Sequence, residues 1–477
     1  MYKIFSLNGT EYIYSAMNNK IERISKECSD FLSCVTNKCS YKDCVENCEM
    51  DFLTQNGFIG EYKPSFENNA IKFIDEHINC RRKYLVLQVT QRCNLICGYC
   101  PYACTDNDSR NHKNVDMSLD VAIRAVDDYL AHSRDIRILN FGFYGGEPLL
   151  NFDLICSVVE YIESKVKNKN IVFSMTTNGT LLTKSIVEYL VKKDFRLTIS
   201  LDGDKSLHDK HRKFPNQKGS HSIVYSAMKY IYEKYSEFWM KNVSFNAVVN
   251  SYMDFNRSLS FFNSEKMYEE ISGIRINFSE GRKLGVEIYD EKIINKFTNV
   301  NRYNNKRYYL ELMLFYYQRR IHCPDYISDD IDVLKKIDLK QHNDYNSCKT
   351  VVHPQGQCIS GATKLMVDVY GNYWPCEKIN ETCGFCKIGD VYSGVDKSQV
   401  AKQMNVSMLT KDECLRCWAI NHCSFCLANF NEHSCITEEI KLQKCKKEKE
   451  RLLGLIKIYT TIQNVYSKYG YKEGIEL

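Results

Sequence analysis

Residues 84–100 read YLVLQVTQRCNLICGYC, an apolar run over Tyr84–Val89 that leads directly into Cys93, Cys97 and Cys100. A short, continuously apolar run of this kind suits a strand buried on both faces, the habit of parallel sheets. Three thiols spaced Cys-x3-Cys-x2-Cys in the following loop can hold three irons of a [4Fe–4S] cube and leave the fourth iron open. A lone zinc is the alternative; it takes four ligands and usually draws on two Cys-x2-Cys knuckles, with Cys104 offering a fourth thiol.

Downstream, further apolar runs at Ile136–Tyr144, Ile171–Thr176, Phe195–Leu201, Val243–Val249 and Gly273–Phe278 alternate with helix-length amphipathic segments. Such alternation builds successive right-handed βαβ units, so residues 83–300 are expected to form an α/β fold with a six-stranded parallel sheet or partial (β/α)6 barrel. Six units fall short of a closed eight-stranded barrel. The C-terminal edges of these strands carry the polar residues. The second ends in Phe143-Tyr144-Gly145-Gly146-Glu147-Pro148, where paired glycines allow close backbone approach and Glu147 offers acceptor atoms. The third ends at Thr176-Thr177-Asn178-Gly179 and the fourth at Ser200-Leu201-Asp202-Gly203. Singly, each of these reads equally well as a turn closed by an Asx hydrogen bond.

Before the sheet, Tyr2–Leu7 and Glu11–Ala16 flank Asn8-Gly9, a hairpin signal. A charged, Cys-rich stretch with helical character follows and stops at Asn56-Gly57, which sets residues 1–82 apart as a compact module. Between residues 28 and 48 stand Cys28, Cys34, Cys39, Cys44 and Cys48, most of them expected to pack as small hydrophobes. Residues 301–345 read as a connector, residues 346–450 as a segment held by metal rather than by an apolar core, and residues 451–477 as a C-terminal helix that starts near Lys446. In the metal-held segment stand Cys348, Cys358, Cys376, Cys383, Cys386, Cys414, Cys417, Cys423, Cys426, Cys435 and Cys445.

The whole chain has 477 residues, of which 23 are Cys, far too large a protein to use disulfides in place of a core. Its first residues lack the apolar run of a secretory signal, and no apolar run approaches the ~20 residues that span a bilayer. A reducing cytoplasm is therefore expected, where dense cysteines serve metal or redox chemistry. The net charge of +5 gives no reason to expect nucleic acid as a partner.

Cys93, Cys97 and Cys100, followed one βα unit later by Gly145-Gly146-Glu147, resemble the radical SAM superfamily. The resemblance implies a [4Fe–4S] cluster whose open iron binds S-adenosyl-L-methionine, with reductive cleavage to a 5′-deoxyadenosyl radical. It places Tyr99 near the adenine and Gly145, Gly146 and Glu147 around the methionine amino group. Asn178 would be a further cofactor contact, and Ser200 and Asp202 would lie around the ribose and carboxylate. Gly371-x4-Cys376 and Cys414-x2-Cys417-x5-Cys423-x2-Cys426, with Cys445, are similar to the SPASM extension of peptide-modifying members. The last spacing there is usually x3.

By that likeness Cys348, Cys358, Cys376 and Cys426 would hold one auxiliary cluster and Cys414, Cys417, Cys423 and Cys445 another, for three clusters in all. Cys383 and Cys386 form a metal knuckle outside this scheme; a zinc ribbon with Cys414 and Cys417 is the alternative for them. The N-terminal module resembles the winged-helix-like domain with which such enzymes hold a leader peptide. The expected activity is modification of a Cys-rich ribosomal peptide, with thioether formation and an electron donor such as ferredoxin or flavodoxin. Alternatives are formylglycine formation by an anaerobic sulfatase-maturating enzyme, epimerisation or carbon–carbon crosslinking of a peptide, and a non-catalytic zinc-binding protein.

Overall fold

The computed structural model describes residues 1–36, 48–60, 64–66, 74–100, 112–249, 252–262, 264, 266–269, 273–278, 337, 351–352, 358–423, 425–430 and 435–469. Cys39, Cys44, Cys104, Cys348 and, but for Ile337, the expected connector lie outside them.

The chain opens with an antiparallel sheet of β1 (Tyr2–Leu7), β2 (Thr10–Ser15) and β3 (Lys20–Ile24). Asn8 and Gly9 turn the first hairpin with φ of 54° and 72°, the two positive values a type I′ turn requires. β3 is absent from the sequence reading because its apolar residues, Ile21 and Ile24, are spaced as on a helix face. α1 (Lys26–Thr36) and α2 (Cys48–Gln55) complete the module, where Ile13, Ile24, Cys28, Leu32, Leu53 and Phe58 make a small core of their own. Cys28 packs there as a small hydrophobe, and burial raises its thiol to about 11.

β4 (Ser65–Phe66) and α3 (Ile74–Cys80) lead into the main sheet. Its first six strands in chain order are β5 (Tyr84–Thr90), β6 (Ile138–Gly145), β7 (Asn170–Thr177), β8 (Arg196–Ser200), β9 (Val243–Val249) and β10 (Gly273–Phe278). All six are parallel neighbours, and each lies within two residues of the run read from the sequence. The short β11 (Val351–Val352) pairs with β4. β12 (Leu365–Val367) then joins β5 in parallel on its other edge, and β13 (Tyr373–Trp374) closes that edge antiparallel.

The helices between the strands are α4 (Leu119–Ala131), α5 (Phe152–Lys165), α6 (Lys184–Lys192), α7 (Lys205–His211), α8 (His221–Lys234), α9 (Ser236–Asn242), α10 (Tyr252–Phe262) and α11 (Lys266–Glu269). α4 illustrates their construction. Ser118 caps it through Val121 N, and it buries Val121, Ala122, Ala125, Val126 and Tyr129 along one stripe. Phe141, Phe143, Phe173 and Phe195 stack across the sheet face beneath such helices.

The C-terminal part contributes α12 (Lys397–Met404), α13 (Lys411–Leu415) and α14 (Glu438–Tyr469). α14 starts at Glu438, ahead of the expected Lys446, because Glu438 and Glu439 suit a helix N-terminus. Cys445 consequently lies on a helix. Among the described residues no helix is long and apolar enough to cross a membrane.

Candidate active site

β5 delivers the cysteine loop at its C-terminal end, and neighbouring elements fix the loop from both sides. Arg92 makes a two-pronged pair with Asp116 at 2.9 and 2.7 Å, and its Nη2 also donates to the Leu150 carbonyl. Main-chain bonds run from Ile96 N to Lys213 O and from Gly98 N to His211 O. Opposite, Gly146 N donates to Thr90 O and Glu147 N to Arg92 O. A Cβ on Gly145 would stand 2.2 Å from Thr90 O, and one on Gly146 would stand 2.2 Å from Arg92 O. Glycine is thus required at both positions for the two loops to touch.

Cys93, Cys97 and Cys100 lie close enough for their charges to repel one another. Burial is the larger effect and lifts Cys93 to about 12 and Cys97 to about 11, partly opposed at Cys97 by Arg212. Thiols so reluctant to ionise become thiolates when a metal centre binds them. Among the described residues no three His, Cys, Asp or Glu side chains converge on a single ion. A cube asks for less convergence, since each thiolate meets a different iron, so this donor set suits a cluster. His112, which no spacing signal marks, brings Nε2 to 3.5 Å from Cys100 Sγ and Nδ1 to 3.1 Å from Gln91 O.

Several of the other site residues named from sequence bond to this loop or to one another. Glu147 is fully buried, and its carboxylate accepts from Leu149 N, Thr177 Oγ1 and Asn178 N at 3.1, 2.7 and 2.7 Å. Burial raises it to about 7 despite those bonds. Through these bonds the carboxylate staples the ends of β6 and β7 together. Asn178 Nδ2 donates to Asn94 Oδ1 at 2.8 Å and lies 4.0 Å from Cys93 Sγ, so it clamps the cysteine loop.

Asp202, 1% exposed, accepts from Tyr99 Oη at 2.5 Å, from Arg212 Nε and Nη2 at 3.0 and 3.1 Å, and from Val248 N at 2.9 Å. Its carboxylate ties the cysteine loop to α7 and β9. Tyr99 has Arg212 over its ring at 5.4 Å and His211 beside it. Ser200 ends β8 and is buried. Sequence reading missed Arg212, since nothing local pairs it with Asp202.

The C-terminal cysteines fall into two groups. Cys358, Cys376, Cys383, Cys386 and Cys426 form a chain of thiols within electrostatic reach, with Cys386 next to Cys376, Cys383 and Cys426. Cys414, Cys417, Cys423 and Cys445 form the other. Cys435 is exposed. In the second group Lys441, 2% exposed, reaches Thr410 Oγ1 and lies 3.5 Å from Cys414 Sγ. A buried ammonium there suits a group of thiolates.

The N-terminal sheet sits directly on this second group: Tyr14 meets Trp418 edge-on at 6.1 Å, His422 Nε2 lies 2.6 Å from Asn19 Oδ1, and Asn421 Nδ2 donates to Ala16 O. The first group is joined to the cysteine loop through Glu381, which accepts from Gln88 Nε2 and Gln91 Nε2 at 2.6 and 3.3 Å.

Residues 87–249 match the radical SAM superfamily model. A GTP 3′,8-cyclase of Clostridium botulinum is 30% identical over 48% of this chain and 67% of its own length. The chain belongs to the radical SAM superfamily. Radical SAM enzymes use S-adenosylmethionine and a [4Fe–4S] cluster, and the thiol loop on β5 offers the matching donors.

Two other radical SAM relatives act on different chemistry. The cysteine-type anaerobic sulfatase-maturating enzyme of Clostridium novyi is 28% identical over 30% of this chain and 39% of its own length. The radical SAM cyclopropyl synthase TigE of Paramaledivibacter caminithermalis is 23% identical over 83% of this chain and 79% of its own. The chain spans half or less of the length of the first curated relatives it matches. In fold, native anSMEcpe with bound AdoMet superposes with a TM-score of 0.53 at 20% identity, covering 79% of this chain and 99% of that one.

Proposed function

We propose that this radical SAM enzyme modifies a ribosomally made, Cys-rich peptide by joining a Cys sulfur to carbon. The observation that carries the reading is that the two C-terminal thiol groups are tied by hydrogen bonds to two other parts of the chain. Glu381 links the first auxiliary group to the β5 loop, and the N-terminal sheet is seated on the second. A peptide held by residues 1–82 would lie close to a chain of redox centres.

In this reading Cys93, Cys97 and Cys100 hold the cluster that binds S-adenosylmethionine, and residues 346–450 form a SPASM-type segment with two more clusters. When bound, the first cluster and S-adenosylmethionine supply one-electron hydrogen abstraction from carbon. The chain's residues do the positioning. Gly145, Gly146 and Asn178 fix Cys93, Asp202 holds Tyr99 and Arg212 in place, and Glu147 locks two strand ends together. Clusters held by the two C-terminal thiol groups would accept the one electron left over per sulfur–carbon bond after hydrogen abstraction, for a carrier of the ferredoxin or flavodoxin type.

Co-expression with a small Cys-rich open reading frame, sought next to the gene of this chain, tests the reading by mass spectrometry. A loss of two hydrogens together with one fewer alkylatable thiol per crosslink supports it. The relationship to sulfatase-maturating enzymes favours formylglycine formation as a second reading; a Cys converted to a hydrazine-reactive aldehyde selects that instead. Hydrogen loss with every thiol still alkylatable favours carbon–carbon closure of the kind the cyclopropyl synthase's name describes.

A further inference from the structure

The family likeness leaves Cys383 and Cys386 without a role, yet they are the most enclosed thiols of the first auxiliary group, 1% and 0% exposed. They stand at either end of a tight turn, Cys383-Gly384-Phe385-Cys386, closed by Cys386 N donating to Cys383 O at 2.8 Å. The main-chain N–H groups of Phe385 and Cys386 also point at the Cys383 sulfur. Amides aimed at a ligand sulfur would hydrogen-bond to a bound cluster, as the N–H groups around iron–sulfur centres do.

The turn is held rigid from outside. Gln399 and Gln403 on α12 both donate to the Phe385 carbonyl. Cys376 packs against the same apolar cluster as the two thiols, with Val86, Met366, Trp374 and Ile379. Cys426 lies within electrostatic reach of both Cys386 and Cys376. Cys358 lies within electrostatic reach of Cys426 and is exposed.

We infer that Cys376, Cys383, Cys386 and Cys426 ligate the first auxiliary [4Fe–4S] cluster, with Cys358 left outside it. Four thiolates close the coordination of such a cube, so this centre would carry electrons rather than bind substrate. Its neighbour is the catalytic loop, through Glu381 two residues before Cys383 and its bonds to Gln88 and Gln91. Shortening the last spacing to Cys423-x2-Cys426 accompanies the change of ligands. The assignment rests on the reading that this segment carries auxiliary clusters.

The decisive measurement uses the unmutated full-length chain, metal-free and after anaerobic reconstitution with iron and sulfide, alkylated with iodoacetamide and mapped by mass spectrometry. Cys358 and Cys426 are both exposed in the free chain, so both label before reconstitution. Afterwards Cys426 should be protected while Cys358 still labels. In parallel, the double variant C383S/C386S should lose about four irons and four sulfides per chain, one cube, while C358A keeps the full complement. Protection of Cys358, or loss of a cube in C358A with none in C383S/C386S, overturns the assignment alone. Iron for only one cube in the parent chain overturns the auxiliary-cluster reading along with it. Zinc bound at these thiols without sulfide also overturns the assignment.

Discussion

Replacing Asp202 by Asn tests whether the carboxylate is a structural anchor. The side chain keeps its size but loses its charge, and one of its two oxygens becomes an N–H donor. In the parent, four donors from Tyr99, Arg212 and Val248 converge on those oxygens. An Asn oxygen can satisfy some of them, while its amide group faces donors that cannot accept. Arg212, 6% exposed, then keeps a buried positive charge whose ion-pair partner is gone. Breaking a buried pair from one side costs about 3–5 kcal/mol, roughly two to three and a half powers of ten in the folding equilibrium at 1.4 kcal/mol per tenfold.

The assay is urea unfolding of the metal-free chain under reducing conditions, followed by tryptophan fluorescence, since Trp239 lies in the core. The midpoint should fall with the slope unchanged. R212M should fall by a similar amount, and D202L/R212M should recover much of the loss, because removing both charges leaves neither unpaired. A D202N midpoint within about 0.5 kcal/mol of the parent, the range of an ordinary surface change, would refute the anchor.

Changing Cys93, Cys97 and Cys100 together to Ala should abolish S-adenosylmethionine cleavage; 5′-deoxyadenosine formed by that variant under reducing conditions sinks the first-cluster assignment. G146A places a Cβ 2.2 Å from Arg92 O, so the two loops must part by about 1 Å. The expected cost is about 1–3 kcal/mol in the same urea assay, with reduced iron uptake, and an unaltered midpoint and iron content contradict it. His208 is fully buried, with burial and then Arg212 and His221 lowering it to about 2 from an ordinary 6.5. Above pH 6.5 it is neutral folded or unfolded. Below that only the unfolded chain takes up its proton, so stability should fall by about 1.4 kcal/mol per pH unit. H208N should flatten that fall between pH 6.5 and 5; parallel profiles for parent and variant count against it.

The parallel sheet was legible because its strands are buried on both faces and therefore apolar throughout. Leu85, Val86, Leu87 and Val89 are all buried, and such runs need no partner to be recognised. β12 escaped notice because three residues, Leu365 to Val367, carry no period, and their place beside β5 is set by tertiary packing. At the site, the residue types that approach the loop were readable from strand ends, whereas the direction of each side chain was not. Glu147 and Asp202 look alike as acceptors in sequence, and only folding reveals which donors reach them. Arg212 and Lys441 acquire their roles from partners 10 and 27 positions away. The cysteine spacing drew attention to the C-terminal thiols, but a spacing of two between Cys383 and Cys386 does not say which other thiols they face.

The union of β12 with β5 also has a consequence for synthesis on the ribosome. Val369 N bonds to Gln88 Oε1 across 281 positions of chain. At about 5–20 residues per second, translation leaves the β12 side of β5 without its partner for roughly 14–56 s. An apolar strand with unpaired amides is a template for pairing with another chain. Slowed translation between β10 and β12 should therefore increase the aggregated fraction of this protein, and a chaperone that covers strand edges should reduce it.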